Sequence, residues 1–323
     1  DGITVKGTDR LRADFLPKRF AHLQGERYDP VKLDETFREM LRSGLFETLR
    51  VTPTPVAGDE VRLDFTVSEA KAKELGFTLG YGTYEGAVAG FRLGDRDLFG
   101  RGRPLSFFAQ YTQREISGEF LYLDPWLFDT RFALRTRLYS QTRTEEGYAK
   151  NELGFRTDLS RKLLPHLELG AFIESRYVTI TDSTIVAADL GPLSYTLQSI
   201  GLTQSTDYRN DPINPARGFI VTSAFDIAQL DSQPAFLRGT LRFSWYLPVG
   251  PCLLAFGARA GYIASLLDDL PIDVRFFNGG GATVRSFVER ELGPHDRLGN
   301  PLGGEFSTTF NAELTFPLSG GLQ

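Results

Sequence analysis

The feature that most constrains this chain is an alternation of apolar and polar residues that recurs from Leu75 onward. Successive side chains of a β-strand point to opposite faces, so each alternating segment has one apolar and one polar face. The polar faces carry full charges near mid-strand, at Arg135, Arg137, Glu174, Arg176, Arg242 and Arg259. The pattern therefore predicts a sheet with one oily face and one charged face.

We predict twelve such strands, at residues 74–84, 86–97, 103–114, 115–124, 129–143, 147–160, 165–181, 194–207, 217–229, 235–248, 251–264 and 304–318. Strands of soluble proteins average about 5–6 residues, whereas a tilted strand that crosses a bilayer needs about 9–11. A soluble β-sandwich or a propeller is the alternative, but a sandwich needs a dry inner face. Charges at mid-strand suit a water-filled lumen, so the pattern favours a mostly β fold, a transmembrane antiparallel β-barrel.

Residues 1–70 follow a different, mixed pattern. The predicted elements are a strand at 3–5, helices at 12–20 and from Pro30 to Gly44, strands at 47–54 and 60–67, and a turn at 57–59. Asp29 suits the N-cap of the second helix, Pro30 its first turn and Gly44 its end. The order β-α-α-β-β predicts a small α+β domain at 1–70, followed by the barrel at 71–323.

Composition and motifs exclude several classes of protein. Lys and Arg number 36 against 41 Asp and Glu, whereas a dedicated nucleic-acid-binding protein carries a basic excess. The one cysteine, Cys252, allows no internal disulfide, and the three histidines lack the close spacing of helical metal motifs. The sequence contains neither a phosphate-binding Gly-x-x-x-x-Gly-Lys-Ser/Thr motif nor a nucleophilic Gly-x-Ser-x-Gly motif. We therefore expect no enzyme, no cofactor, no metal and no nucleic-acid partner.

Two connections and the chain end stand out. Residues 182–193 form one long connection, and residues 265–303 form a second that is too long for a passive link in a compact domain. Residues 317–323 resemble a turn that leads into another strand. Because an open sheet edge cannot face hydrocarbon, we expect the chain to be incomplete at its C-terminus.

Three local patterns are similar to those of a known family. Tyr28-Asp29-Pro30 leads to Gly44-Leu45-Phe46. Residues 207–218 contain Asp-x-Arg, then prolines, then a glycine, and residues 276–280 read Phe-Phe-Asn-Gly-Gly before Val-Arg-Ser-Phe. Together with an α+β domain directly before long strands, these patterns resemble the outer-membrane assembly proteins of the BamA/TamA type, the POTRA-plus-barrel superfamily. The resemblance extends over essentially the whole chain.

The resemblance implies a sixteen-stranded barrel, and so four further strands after Gln323. It identifies residues 1–70 as a periplasmic POTRA domain. It also identifies a motif before a central strand, which the residues Asp207, Arg209, Pro215 and Gly218 would form.

The resemblance further implies that the loop between the eleventh and twelfth strands folds back into the lumen. The residues of its signature are Val284, Arg285, Ser286 and Phe287. In the family the arginine pairs with an inner-wall carboxylate, and Glu313 is the predicted partner of Arg285. The alternative is that Arg285 is a solvated loop charge. Ser286 replaces the usual glycine, and it would be strained if that position required a positive φ.

The family's barrel is thought to open between its first and last strands. The residues of the predicted seam strand are Leu75, Gly76, Phe77, Gly80 and Gly82. Glycine weakens strand pairing, so these glycines fit a weak seam. They fit equally well a strand that accommodates barrel curvature or the folded-in loop.

The expected function is the folding and insertion of β-barrel proteins into the Gram-negative outer membrane without ATP. The expected partners are unfolded outer-membrane or secreted polypeptides, the lipid bilayer and accessory assembly subunits. The alternative function is a two-partner-type polypeptide secretion pore, which shares the same domain plan. A plain diffusion porin would have no use for the α+β domain or the long signature loop.

Overall fold

The computed structural model describes residues 2–56, 60–267 and 269–316. The first elements are β1 (Ile3–Lys6), α1 (Phe15–Phe20), α2 (Pro30–Arg42), β2 (Phe46–Val56) and β3 (Glu60–Glu69). The long strands are β4 (Lys73–Gly82), β5 (Gly86–Asp95), β6 (Leu105–Tyr111), β7 (Glu115–Asp124), β8 (Phe132–Glu145), β9 (Tyr148–Leu164), β10 (Leu167–Thr181), β11 (Ser194–Asp207), β12 (Gly218–Leu230), β13 (Gln233–Val249), β14 (Cys252–Ser265) and β15 (Phe306–Thr315), with a short helix α3 (Ala187–Leu190) before β11. Short 3-10 helices lie at Ala21–Leu23, Leu98–Gly100, Leu127–Asp129 and Ile272–Val274.

The chain divides into two compact units. The first comprises Asp1–Gly80, Ala89–Gln110 and Gly118–Arg137. The second comprises Tyr81–Val88, Tyr111–Ser117 and Leu138–Gln323. Each unit therefore draws on several separate stretches of sequence.

The first unit begins with the predicted β-α-α-β-β elements. Their sheet has the strand order β1-β3-β2, with β1 parallel and β2 antiparallel to the central β3. β2 continues two residues past the predicted end despite Pro53 and Pro55, which an edge strand tolerates because it has only one hydrogen-bonded neighbour. The predicted turn at 57–59 lies outside the described residues.

Both helices of this unit pack against the sheet. Asp29 caps α2, because its carboxylate accepts the backbone N–H of Val31 at 2.9 Å, as predicted. The predicted start of the first helix at residue 12 was wrong: α1 begins at Phe15. Pro17 lacks a backbone N–H and fits only the first turn, which fixes this late start. Phe20 and Phe65 fill the core between helix and sheet, with ring centroids 4.7 Å apart.

A carboxylate ties the start of the chain to the end of β3. Glu69 accepts the backbone N–H groups of Asp9, at 2.8 Å, and of Leu11, at 3.0 Å. Burial opposes ionisation of this group, but the N–H donors outweigh it and hold the pKa of Glu69 below its usual range. The contact fixes the segment that leads into α1.

Twelve strands form one antiparallel sheet in chain order, from β4 to β15. Each predicted strand corresponds to one observed strand, with ends that differ by a few residues. β4 and β15 are the two edge strands of this order. Residues 317–323, where the sequence suggests a further turn, lie outside the described residues.

The two faces of this sheet differ as the alternation predicts. Large apolar side chains are exposed on one face, including Phe310 on β15 and Ile200 on β11. The other face carries ion pairs, such as Arg238 with Asp226, whose carboxylate is almost fully buried. A periodicity of two residues thus places the exposed apolar side chains and these ion pairs on opposite faces of the strands.

The connection from β14 to β15 packs back onto the charged face. It spans residues 266–305, close to the predicted 265–303, and is hereafter called the returning loop. Ile272 and Val274 of this loop are buried against residues of the strands, among them Val178 and Phe236. The long connection therefore shares a hydrophobic core with the strands.

The helices in the described ranges are all too short or too polar to cross a membrane.

Candidate functional site

The signature residues form a tight turn in the returning loop. The backbone N–H of Phe287 donates to the carbonyl of Val284 at 3.2 Å, and that of Gly280 donates to the carbonyl of Phe287 at 2.9 Å. Ser286 does not adopt a positive φ, so serine fits this position without the strain that a glycine-only conformation would impose. Positive φ occurs instead at Gly279, Gly280 and Arg290.

Arg285 lies against the predicted acidic residue. Its Nη2 is 2.8 Å from Oε1 of Glu313, which lies on β15 opposite Ala255 of β14. Both side chains remain largely exposed, at 75% for Arg285 and 53% for Glu313. An exposed ion pair of this kind contributes little to the free energy of unfolding.

A second arginine of the returning loop is buried. Nη1 of Arg290 is 2.8 Å from Oε1 of Glu145 at the end of β8, and its Nη2 donates to the hydroxyl of Tyr148 at 2.9 Å. Its guanidinium also lies over the ring of Phe277, 3.5 Å from the centroid. Only 11% of the Arg290 side chain and 8% of the Glu145 side chain are exposed. This contact is therefore shielded from solvent in a way that the Arg285 contact is not.

Glu145 belongs to a larger group of charges, hereafter the rim cluster: Glu85, Glu115, Arg143, Glu145 and Arg290. Arg143 donates to Glu85 at 2.8 Å, to Glu115 at 2.5 Å and to Glu145 at 3.1 Å. Glu85 lies in the turn between β4 and β5, Glu115 begins β7, and Arg143 and Glu145 end β8. One guanidinium thus joins three strand ends through charge-assisted hydrogen bonds.

A second buried group anchors the start of the returning loop. Asp273 accepts a hydrogen bond from the hydroxyl of Tyr195 and lies 3.8 Å from Nη2 of Arg176, an ion-pair contact too long for a hydrogen bond. Arg176 also donates to Glu152 at 3.4 Å, and Glu152 accepts the hydroxyl of Tyr139 at 2.7 Å. Asp273 is 1% exposed, so its charge depends on these partners.

Aromatic rings of the loop pack on glycines. A Cβ added to Gly261 of β14 would lie 2.5 Å from the ring of Phe276. A Cβ added to Gly303 would lie 2.7 Å from the ring of Phe277. Phe276 also exchanges two backbone hydrogen bonds with Gly304, at 2.8 and 2.9 Å. The glycines therefore provide the space that the loop needs to lie against the sheet.

The motif predicted before a central strand forms the turn between β11 and β12. Asp207 accepts two side-chain hydrogen bonds from Arg209, at 2.9 and 2.7 Å, and these raise the pKa of the Arg209 guanidinium. Gly218 has a φ of 99°, and a Cβ there would lie 2.1 Å from the carbonyl of Tyr208. Pro215 is half-buried in the same turn. This arrangement braces the turn between β11 and β12.

The predicted seam residues lie on β4, an edge strand. Leu75 and Phe77 are 61% and 76% exposed, and Leu79 and Tyr81 continue the same exposed row. Gly76 and Gly82 have no close neighbour at the position of a Cβ. The structure thus places these residues together on one strand.

Sequence reasoning missed Asp273, Arg290 and the rim cluster. Arg143 and Glu145 continue the face of Arg135 and Arg137, so strand alternation contained a signal for them. Asp273 and Arg290 lie in a loop without periodicity, and nothing in the sequence separates them from solvated charges. Among the described residues, no group of three or more His, Cys, Asp or Glu side chains could hold a metal ion.

Comparisons with known proteins bear on the family and the fold of this chain. The model of the Omp85 superfamily domain matches residues 97–322. The outer membrane protein assembly factor BamA of Neisseria meningitidis is 20% identical to 98% of this chain, which spans 44% of that relative's length.

Two solved structures share the fold. BamA from Haemophilus ducreyi, lacking POTRA domains 1–3, matches 99% of this chain and 67% of its own length with a TM-score of 0.81 at 14% identity. CdiB from Acinetobacter baumannii matches 99% of this chain and 60% of its own length with a TM-score of 0.61 at 12% identity. The family model covers well over half of the sequence. The chain belongs to the Omp85 superfamily.

Proposed function

We propose that this chain is part of an assembly factor that folds β-barrel proteins and inserts them into the outer membrane without ATP. As an Omp85 protein similar to BamA, it is an outer-membrane protein of the Gram-negative type. The observation that carries the proposal is the returning loop on the charged face, with Arg285 placed 2.8 Å from Glu313. Insertion would be driven by the folding of the substrate, and this protein would lower the barrier.

In this proposal residues 1–70 are a periplasmic POTRA domain and residues 71–323 belong to the barrel, which four further strands would complete to sixteen. The β-α-α-β-β order and the three-stranded sheet support the first assignment. The POTRA domain would bind an incoming polypeptide by pairing it with an edge strand. β2 is an edge strand of the module, but Pro53 and Pro55 lack N–H donors, so Phe46–Thr52 is the part best suited to pairing.

The substrate would enter the membrane at β4. Among the described strands β4 is an edge strand, and its backbone is rich in glycine. When the seam at this edge opens, β4 would serve as the template for an incoming strand, because exposed backbone N–H and C=O groups seek partners. The partners are therefore unfolded outer-membrane polypeptides and the bilayer, with accessory subunits as further candidates. No enzymatic role is proposed, since the curated relatives carry the names of assembly factors.

Depletion of the whole protein in its native organism tests this function. We expect a general loss of outer-membrane β-barrel proteins when the membrane fraction is quantified. Complementation with the natural protein should restore them, and complementation with a Glu313→Lys variant should restore them poorly. Loss of one secreted protein, with the other barrels at normal levels, would contradict the proposal.

A two-partner-type polypeptide secretion pore is the second candidate. The similarity to CdiB structures, with TM-scores of 0.61 and 0.64, favours it at the level of fold. The curated relatives favour the assembly factor. Single-channel conductance separates the two, since a steady large pore indicates export and a mostly closed, fluctuating one indicates insertion.

A further inference from the structure

The rim cluster connects two parts of the molecule that sequence places far apart. Arg290 belongs to the returning loop, and Glu85 belongs to the turn that joins β4 to β5. All members of the cluster lie in the second unit. Within the described part of the chain, Glu85 and Arg290 make no direct hydrogen bond or ion pair, and they are joined through Arg143 and Glu145.

The shared atom in this connection is Oε1 of Glu145. It lies 3.1 Å from Nε of Arg143 and 2.8 Å from Nη1 of Arg290. Arg143 is 19% exposed and Glu115 is 13% exposed, so water screens these charges only partly. The two ends of this chain of contacts are therefore connected through charges that are partly shielded from water.

The charge balance of the cluster indicates the direction of the effect. With the loop in place, two arginines face three carboxylates: Glu85, Glu115 and Glu145. If Arg290 withdraws, Arg143 alone faces all three, and the carboxylates repel one another. Glu85 is the most exposed of them, at 31%, so it is the one that water can release most readily.

We propose that Arg143 is a positioning residue that couples the returning loop to the β4–β5 hairpin. Departure of Arg290 from Glu145 weakens the hold of Arg143 on Glu85 and loosens the turn of that hairpin. By thermodynamic reciprocity, opening of the hairpin loosens the loop. That this hairpin carries the seam strand rests on the proposed function, whereas the coupling itself rests on the contacts.

Amide hydrogen exchange of the full natural protein in lipid vesicles tests the coupling at two peptides, residues 81–88 and the returning loop. We expect Arg290→Gln to raise exchange of the 81–88 amides about tenfold. In a Glu85→Gln background the same substitution should raise it less than about twofold, because the carboxylate that would be released is absent. Arg297→Gln, at an exposed arginine of the same loop, is the matched control and should leave 81–88 unchanged.

Conservative variants separate positioning from simple structural damage. Arg143→Lys keeps the charge and should raise exchange at 81–88 less than Arg143→Gln, and Arg290→Lys should do so less than Arg290→Gln.

The proposal is overturned if Arg290→Gln affects only the loop peptide, or if its effect on 81–88 is the same with and without Glu85. Assembly of β-barrel proteins is assayed separately. If Arg290→Gln does not raise exchange at 81–88 and the natural protein assembles β-barrel proteins normally, only the coupling is rejected. If the exchange is coupled but the natural protein does not assemble β-barrel proteins, only the proposed function is rejected.

Discussion

The returning loop touches the sheet in two ways that differ in solvent exposure. At the signature turn, Arg285 meets Glu313 with both side chains largely in solvent. At its two buried anchors, Asp273 meets Arg176 and Tyr195, and Arg290 meets Glu145. Exposed ion pairs contribute about 0–1 kcal/mol, whereas removing one partner of a buried pair costs about 3–5 kcal/mol. The comparison teaches that a recognisable motif and the contacts that hold a segment in place need not be the same residues.

The largest effect is expected at the more buried anchor. Asp273→Ala leaves the hydroxyl of Tyr195 without its acceptor and leaves Arg176 with Glu152 alone, and we expect it to lower the free energy of unfolding by about 3–5 kcal/mol. This free energy is measured by urea unfolding in detergent micelles, in which the folded and unfolded protein are separated by their different mobility on gels. Asp269→Ala changes an exposed aspartate of the same loop and should have almost no effect. Equal losses in both variants would remove the distinction between buried and exposed contacts.

A somewhat smaller loss is expected at Arg290. The substitution Arg290→Ala removes two hydrogen bonds and the contact with Phe277, but Glu145 keeps Arg143 as a partner. We therefore expect a loss of about 2 kcal/mol in the same unfolding measurement. Arg297→Ala is the control. A loss below that of the Arg285→Ala variant would contradict our account of the loop.

The packing of aromatic rings on glycine gives a test that involves no charge. Gly261→Ala places a methyl group within 2.5 Å of the Phe276 ring, and we expect a loss of about 1–3 kcal/mol because the loop must shift. Gly257→Ala on the same strand is the matched control, since its nearest neighbour would be the Cβ of Asn311 at 3.8 Å. If both variants unfold alike, the ring of Phe276 does not rest on Gly261.

The smallest effect on stability is expected at the signature pair. Arg285→Ala should change the free energy of unfolding by about 1 kcal/mol or less, because both partners are exposed. Outer-membrane protein levels in a depletion strain complemented with this variant measure its role in assembly, which we expect to be impaired. Full assembly by Arg285→Ala would assign the pair no role, and a large loss of stability would reverse the comparison.

Much of the fold was predictable because strands have a fixed period. The alternation in residues 165–181 predicts β10 almost to the residue, and Arg176 was assigned to the charged face in advance. The signature turn was predictable from a resemblance, and the contact of Arg285 with Glu313 lies where that resemblance suggested. The alternation of apolar and polar residues was therefore sufficient to predict the strands and the face on which each side chain lies.

The remaining contacts depend on tertiary structure. The ring of Trp126 packs edge-on against Phe15, and its indole N–H donates to Glu39 at 3.2 Å. The sequence contains no signal that a turn residue will meet a helix more than a hundred residues earlier. The same holds for Arg290, whose partner Glu145 is reached only because the loop turns back.

The reactivity of a buried thiol in the returning loop tests the central claim most directly. In a Cys252→Ala background, Val274→Cys introduces a thiol at a position that is 4% exposed, and Leu298→Cys introduces a reference thiol at one that is 74% exposed. We predict that Arg290→Ala increases the rate of modification at position 274, while Arg285→Ala leaves it close to that of the parent, with position 298 reacting rapidly throughout. A faster reaction at 274 in Arg285→Ala than in Arg290→Ala would contradict the claim that the buried anchors hold the loop.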